Sequence, residues 1–226
     1  MCSLGYTRQS AAIGFWLIAL TFLVKDYIAS STFFIFTSSL LHIPSLFLFS
    51  FPLSKIYSVI KKPKFYIPIL IVTPVIYNFT KARFTSSFYG LLFNYSDMIG
   101  NFNGYLFRSM LPTFASLIFI TNIGKFRRID TPTTIKIYKL IAYMSLFFLF
   151  IGTVFNQYIV IVDRLGIYLF PIAIYVFTRV PIIKLYNISS FSWRILIVIA
   201  TSCYTMLWLF FAVHASYFVP YQNYLF

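Results

Sequence analysis

Seven apolar stretches, near residues 9–24, 28–52, 65–80, 106–122, 136–155, 165–183 and 193–214, recur along a chain of 226 residues and leave only short connections between them, apart from one near 81–105. Stretches of roughly 17–25 apolar residues are what a hydrocarbon layer about 30 Å thick requires of a helix. Inside that layer every backbone N–H and C=O must be met internally, so the spans are helices and not open strands. The chain is 60% hydrophobic, 22% aromatic and only 10% charged, which excludes an ordinary soluble domain. The expected architecture is all-α: one polytopic integral membrane domain over 1–226, with about six to seven transmembrane helices, one of them re-entrant if 28–52 turns back at Pro44.

The net charge of +14 raises the question of nucleic acid. A nucleic-acid footprint needs its cations on one exposed face or groove. Here they sit between spans: Lys55, Lys61, Lys62 and Lys64 after the second stretch, Lys125, Arg127, Arg128, Lys136 and Lys139 after the fourth, and Arg179, Lys184 and Arg194 around the sixth-to-seventh connection. Such clustering follows the positive-inside rule and makes those three loops cytoplasmic. No nucleic-acid partner is expected.

Charge leaves the N-terminal part undecided. If 28–52 crosses once, Arg8 is inside. If it dips and returns at Pro44, Lys25 is inside and Arg8 outside, and either choice exchanges one basic residue for another. A single crossing is comfortable on length. The re-entrant path suits the polar residues Thr37, Ser38, Ser39, His42 and Ser45 around the break, because irregular backbone at depth needs a protein-lined cavity. It also gathers Arg8, Arg83, Arg108 and Arg164 on one outer face.

Those four arginines lie outside the basic loops and have no topogenic role. Guanidinium forks suit phosphate and pyrophosphate and stay charged when partly buried. Ionisable residues in or beside spans are candidates for function, although each arginine is also able to snorkel to a headgroup or pair locally, as Asp163 with Arg164. The chain has four acids, Asp26, Asp97, Asp130 and Asp163, and no glutamate. No two stand at the spacing of a metal-carboxylate site, so no metal and no cofactor are expected, and a buried acidic proton relay is disfavoured. Asp97, in Phe93-Asn94-Tyr95-Ser96-Asp97, is the acid placed to serve as a base or as a solvated loop carboxylate. His42 is either a packed core residue or, given the space and freed backbone at Pro44, a general base for an acceptor hydroxyl. Cys2 and Cys203 form no disulfide framework, and P-loops, nucleophile elbows and Cys-x-x-Cys pairs are absent.

Gly5-Tyr6-Thr7-Arg8-Gln9-Ser10-Ala11-Ala12 running into an apolar helix, Ser38-Ser39-Leu40-Leu41-His42-Ile43-Pro44-Ser45 after the turn at Lys25, Asp163-Arg164-Leu165-Gly166-Ile167-Tyr168-Leu169-Phe170 before a later helix, and the closing Val219-Pro220-Tyr221 resemble the EpsG family. Its members are Wzy-like polymerases and glycosyltransferases of exopolysaccharide, capsule and O-antigen clusters in bacteria. The resemblance implies an enzyme of the bacterial cytoplasmic (inner) membrane that joins saccharides carried on polyprenyl pyrophosphate. By match to the motif it carries over to Arg8, Gln9, His42 and Arg164; joined to the reading of the residues above, it gives catalytic roles to His42, Arg8 and Arg164, and substrate binding to Gln9, Arg108, Arg83, Asp97 and Tyr168. The partners implied are the bilayer, the lipid-linked glycan and other polysaccharide-assembly proteins. Family members carry further spans ahead of the arginine-glutamine helix, so the chain is expected to match the C-terminal two-thirds of such a polymerase and to be shortened at its N-terminus. A flippase for lipid-linked saccharide and an inactive fragment are the alternatives.

Overall fold

The computed structural model describes residues 2–53, 102–155 and 159–211, and every described element is helical. In chain order these are α1 (Cys2–Val24), α2 (Ile28–Leu41), a 3-10 segment (Ile43–Phe49), α3 (Phe102–Thr121), the short α4 (Ile123–Phe126), α5 (Pro132–Val154), α6 (Ile159–Gly166), α7 (Pro171–Ile183) and α8 (Ser190–Phe211). The expected span at 65–80 lies outside the described residues. Among the described residues three helices are long and apolar enough to cross a membrane, Pro132–Val154, Ile161–Ile183 and Ser190–Leu207. Arg8–Val24, Ile28–Leu41, Ile43–Leu53 and Tyr105–Thr121 are shorter apolar helices.

The stretch 28–52 is two elements and not one helix. Pro44 has no N–H to donate, and in a continuous helix its ring would strike the Leu40 carbonyl four residues back. The chain answers by ending α2 at Leu41 and turning His42 to an extended conformation, φ −146° and ψ 105°. A further difference concerns the sixth span: helix begins at Ile159, so Asp163 and Arg164 lie within α6 and not ahead of a helix starting at 165. A 3-10 turn at Ile167–Leu169 then joins α6 to α7 at Pro171, whose lack of an N–H is harmless in a first turn.

α1 and α2 form an antiparallel hairpin with small residues at the seam. Ala12, Ala19, Ser31 and Ser38 are all fully buried, and the Ser38 hydroxyl donates to the Ala12 carbonyl at 2.9 Å. Small side chains let two backbones approach where no aqueous hydrophobic drive operates. Elsewhere α3 runs against α5, α6 and α7, and α8 covers α7. Trp16, Ile35, Leu48, Phe51, Phe119, Ile141, Ile172 and Val176 fill one common core.

The turns sort onto two ends of the bundle. The Asp26 carboxylate accepts from the Thr133 hydroxyl at 3.3 Å, which ties the α1–α2 turn to the start of α5. Arg179, late in α7, is ion-paired with Asp130, and Lys125 lies over the Tyr186 ring at 6.0 Å. Turns 25–27, 122–131 and 184–189 therefore share one end, and it is the basic one. At the opposite end, Tyr105 near the start of α3 donates to the Phe148 carbonyl of α5 at 2.6 Å, and Tyr204 of α8 stacks on Phe107 with centroids 4.6 Å apart.

Candidate functional site

The α1–α2 register brings the first two candidates to one level. Continued one turn, about 6 Å, past the Ala12–Ser38 bond, it puts Arg8 level with His42. Both stand away from the Lys25 turn, at the end opposite the basic loops. Arg8 is exposed and Gln9 half-buried on the first turns of α1.

His42 meets the α6–α7 junction. Its Nδ1 is 2.6 Å from the Tyr168 hydroxyl, and the two rings lie 5.9 Å apart, centroid to centroid. Tyr168 is fully buried, and its position is held from the other side by Trp16, whose Nε1–H donates to the Tyr168 carbonyl at 2.9 Å. Arg164, one turn before Tyr168, is partly buried and near enough for its charge to act on His42. His42 itself lies between two helices, at the end of α2. A neutral imidazole has one N–H and one lone pair. When Nδ1–H donates to the Tyr168 oxygen, the lone pair is on Nε2 and available to take a proton.

The hydroxyls around the break are committed to backbone. Ser45 donates to the His42 carbonyl at 2.8 Å, Ser39 to Phe36 at 2.7 Å and Thr37 to Phe33 at 3.1 Å. They satisfy carbonyls and shape the chain reversal; besides the imidazole, the Ser45 hydroxyl also hydrogen-bonds the Tyr168 hydroxyl, and the Phe47 ring packs edge-on against the Tyr168 ring.

Arg108 and Asp163 pair with each other, which differs from the local Asp163–Arg164 pair that adjacency suggested. Arg108 grips Asp163 with two bonds, Nε to Oδ1 at 2.7 Å and Nη2 to Oδ2 at 2.8 Å. Inside a helix, consecutive side chains point about 100° apart, and Asp163 is the one that meets α3. The pair is about half exposed on the arginine side, so its contribution to stability is small. Its effect on chemistry is larger, because one fork of Arg108 is already occupied by a carboxylate. Arg83 and Asp97 lie outside the described residues.

Arg8, His42, Tyr168, Arg164 and Arg108 thus stand at one end of the bundle, brought from α1, the α2 break, the α6–α7 junction and α3. The Trp16–Tyr168 bond, which anchors that junction, joins residues 152 apart and has no local sequence signal. No curated protein and no solved structure matches the chain. The EpsG family profile matches residues 1–223, and on that match the chain belongs to the EpsG family of Wzy-like polymerases.

Proposed function

We propose that the protein is a bacterial polysaccharide polymerase, a metal-independent glycosyltransferase of the inner membrane that joins saccharides carried on polyprenyl pyrophosphate for exopolysaccharide, capsule or O-antigen. The observation that supports this most is the convergence of an imidazole held by the Tyr168 hydroxyl with Arg8 and Arg164 at the end away from the basic loops. In this reading the chain crosses the membrane six to seven times, 28–52 is re-entrant, and the site faces outward.

An acceptor sugar hydroxyl attacks the anomeric carbon of the donor as the bond to the pyrophosphate oxygen breaks. His42 Nε2 takes the hydroxyl proton, and polyprenyl pyrophosphate leaves with the bonding pair. Arg8 and Arg164 stabilise the charge that develops on it, a role preorganised cations fill best in a low-dielectric site. Arg108 contributes its remaining N–H groups, and Gln9, Tyr168, Arg83 and Asp97 contact the saccharides. General-base catalysis of this kind supplies about 10²–10⁴ in rate.

Proteoliposomes carrying the protein and a lipid-linked oligosaccharide test the reading by the chain length of the product. Elongation that disappears in His42→Ala and in Arg8→Ala is the expected result. Substrate that crosses the membrane without growing would instead make the protein a carrier, and growth unchanged in both variants would remove the proposed site.

A further inference from the structure

A concave feature lies at the end of the bundle opposite His42. Pro132, Ile135, Lys136 and Lys139 are spaced i, i+3, i+4 and i+7 and share one face of α5. With Arg127 and Asp130 from the preceding turn they line an open cavity of about 520 Å³. Asp130, the acid among them, is already engaged. It accepts from Arg179 at 3.1 and 3.2 Å and from the Tyr175 hydroxyl at 2.8 Å, so its charge is answered from behind and three cations remain facing the space. The cavity also opens at the first turn of α5, where the helix dipole adds positive potential.

The same helix face continues into hydrocarbon-type surface. Lys139 Nζ lies 5.6 Å from the Tyr143 ring, and Tyr143, Phe147 and Phe150 follow at steps of four, four and three residues, all of them exposed. From Lys139 to Phe150 the strip is about 16 Å long at 1.5 Å per residue. Topogenesis accounts for basic residues in this loop, but not for three of them around one cavity whose single acid is neutralised, above a contiguous aromatic strip.

We propose that the cavity seats the phosphate of an anionic phospholipid of the cytoplasmic leaflet, with an acyl chain along Tyr143, Phe147 and Phe150. A soluble phosphate would match the cations but leave the strip unused; a zwitterionic lipid would match the strip but bring its own cation to the pocket. The site is independent of the glycan-joining reading and stands or falls without it.

Native mass spectrometry of the full chain in detergent, titrated with phosphatidylglycerol or phosphatidylcholine of the same acyl chains, tests it. Each basic residue near an anionic headgroup adds about fivefold in affinity, so phosphatidylglycerol should be preferred by about 100-fold. Lys136→Gln with Lys139→Gln should lower its retention about 30-fold, while Lys136→Arg with Lys139→Arg keeps it. Lys125→Gln with Arg128→Gln removes the same charge from residues that do not line the cavity and should leave retention within about twofold. Equal losses in both glutamine pairs would reduce the effect to net charge and overturn the site. So would the absence of a preference between the two lipids, or displacement by inorganic phosphate at equal concentration.

Discussion

Tyr168→Phe removes one oxygen and little else, which makes it the sharpest probe of the imidazole. The ring keeps its volume, and the Trp16 bond survives because it is made to the Tyr168 backbone carbonyl. What disappears is the 2.6 Å contact to His42 Nδ1, together with the hydrogen bond between the Ser45 hydroxyl and the same oxygen. An Nδ1–H left without an acceptor in a partly buried site costs about 1–3 kcal/mol, and the tautomer that places the lone pair on Nε2 loses its support. Expressed as barrier height, that range is about 5- to 150-fold in rate. It is smaller than the roughly 10²–10⁴ expected for losing the base altogether in His42→Ala. The assay is initial elongation of a lipid-linked saccharide in proteoliposomes, with unfolding followed by circular dichroism on the same preparations. The reasoning requires Tyr168→Phe to fall between wild type and His42→Ala with the helical signal retained. Wild-type rates in Tyr168→Phe beside an inactive His42→Ala would refute the orienting role of the hydroxyl.

Two further outcomes follow from other contacts. Gly152→Val should lower thermal stability in detergent by about 1–3 kcal/mol, since a Cβ at Gly152 runs into the Tyr105 ring and the Tyr105–Phe148 bond leaves that ring little room; an unchanged midpoint would refute the close approach. Asp130→Asn should cost about 2 kcal/mol by the same measurement, a value reduced from the fully buried case because Arg179 is about one-third exposed, and a neutral effect would show the Arg179–Asp130–Tyr175 network to be dispensable.

The parts of the molecule legible from sequence are those set by local chemistry. Pro44 marks the break in 28–52, although Pro112 and Pro181 are carried inside continuous helices, and the clustering of lysines and arginines marks one end of the bundle whatever the helix packing. Residues joined across long separations were not legible. The choice between two paths for 28–52 turned on one basic residue against another, and the contact that bears on it, Asp26 with Thr133, links residues 107 apart. It sets Lys25 at the basic end and Arg8 at the other. Asp163 illustrates the same limit: adjacency offers Arg164 as one partner, while the carboxylate meets Arg108, 55 residues away. The Arg179–Asp130–Tyr175 cluster went unread because Arg179 passed as one more topogenic cation. Its signal was present in Tyr175 and Arg179 at i and i+4 within an apolar helix, a spacing that aims both at one partner.

The account rests on Arg8, His42 and Arg164 lying across the membrane from the basic loops. Single cysteines in a chain lacking Cys2 and Cys203, probed in intact cells with a membrane-impermeant maleimide, measure this directly. Arg8→Cys and Arg164→Cys should label from outside, and Lys25→Cys only after the membrane is opened. Labelling of Arg8→Cys from the cytoplasmic side alone would contradict the account, because it would remove Arg8 from an outward-facing pyrophosphate site.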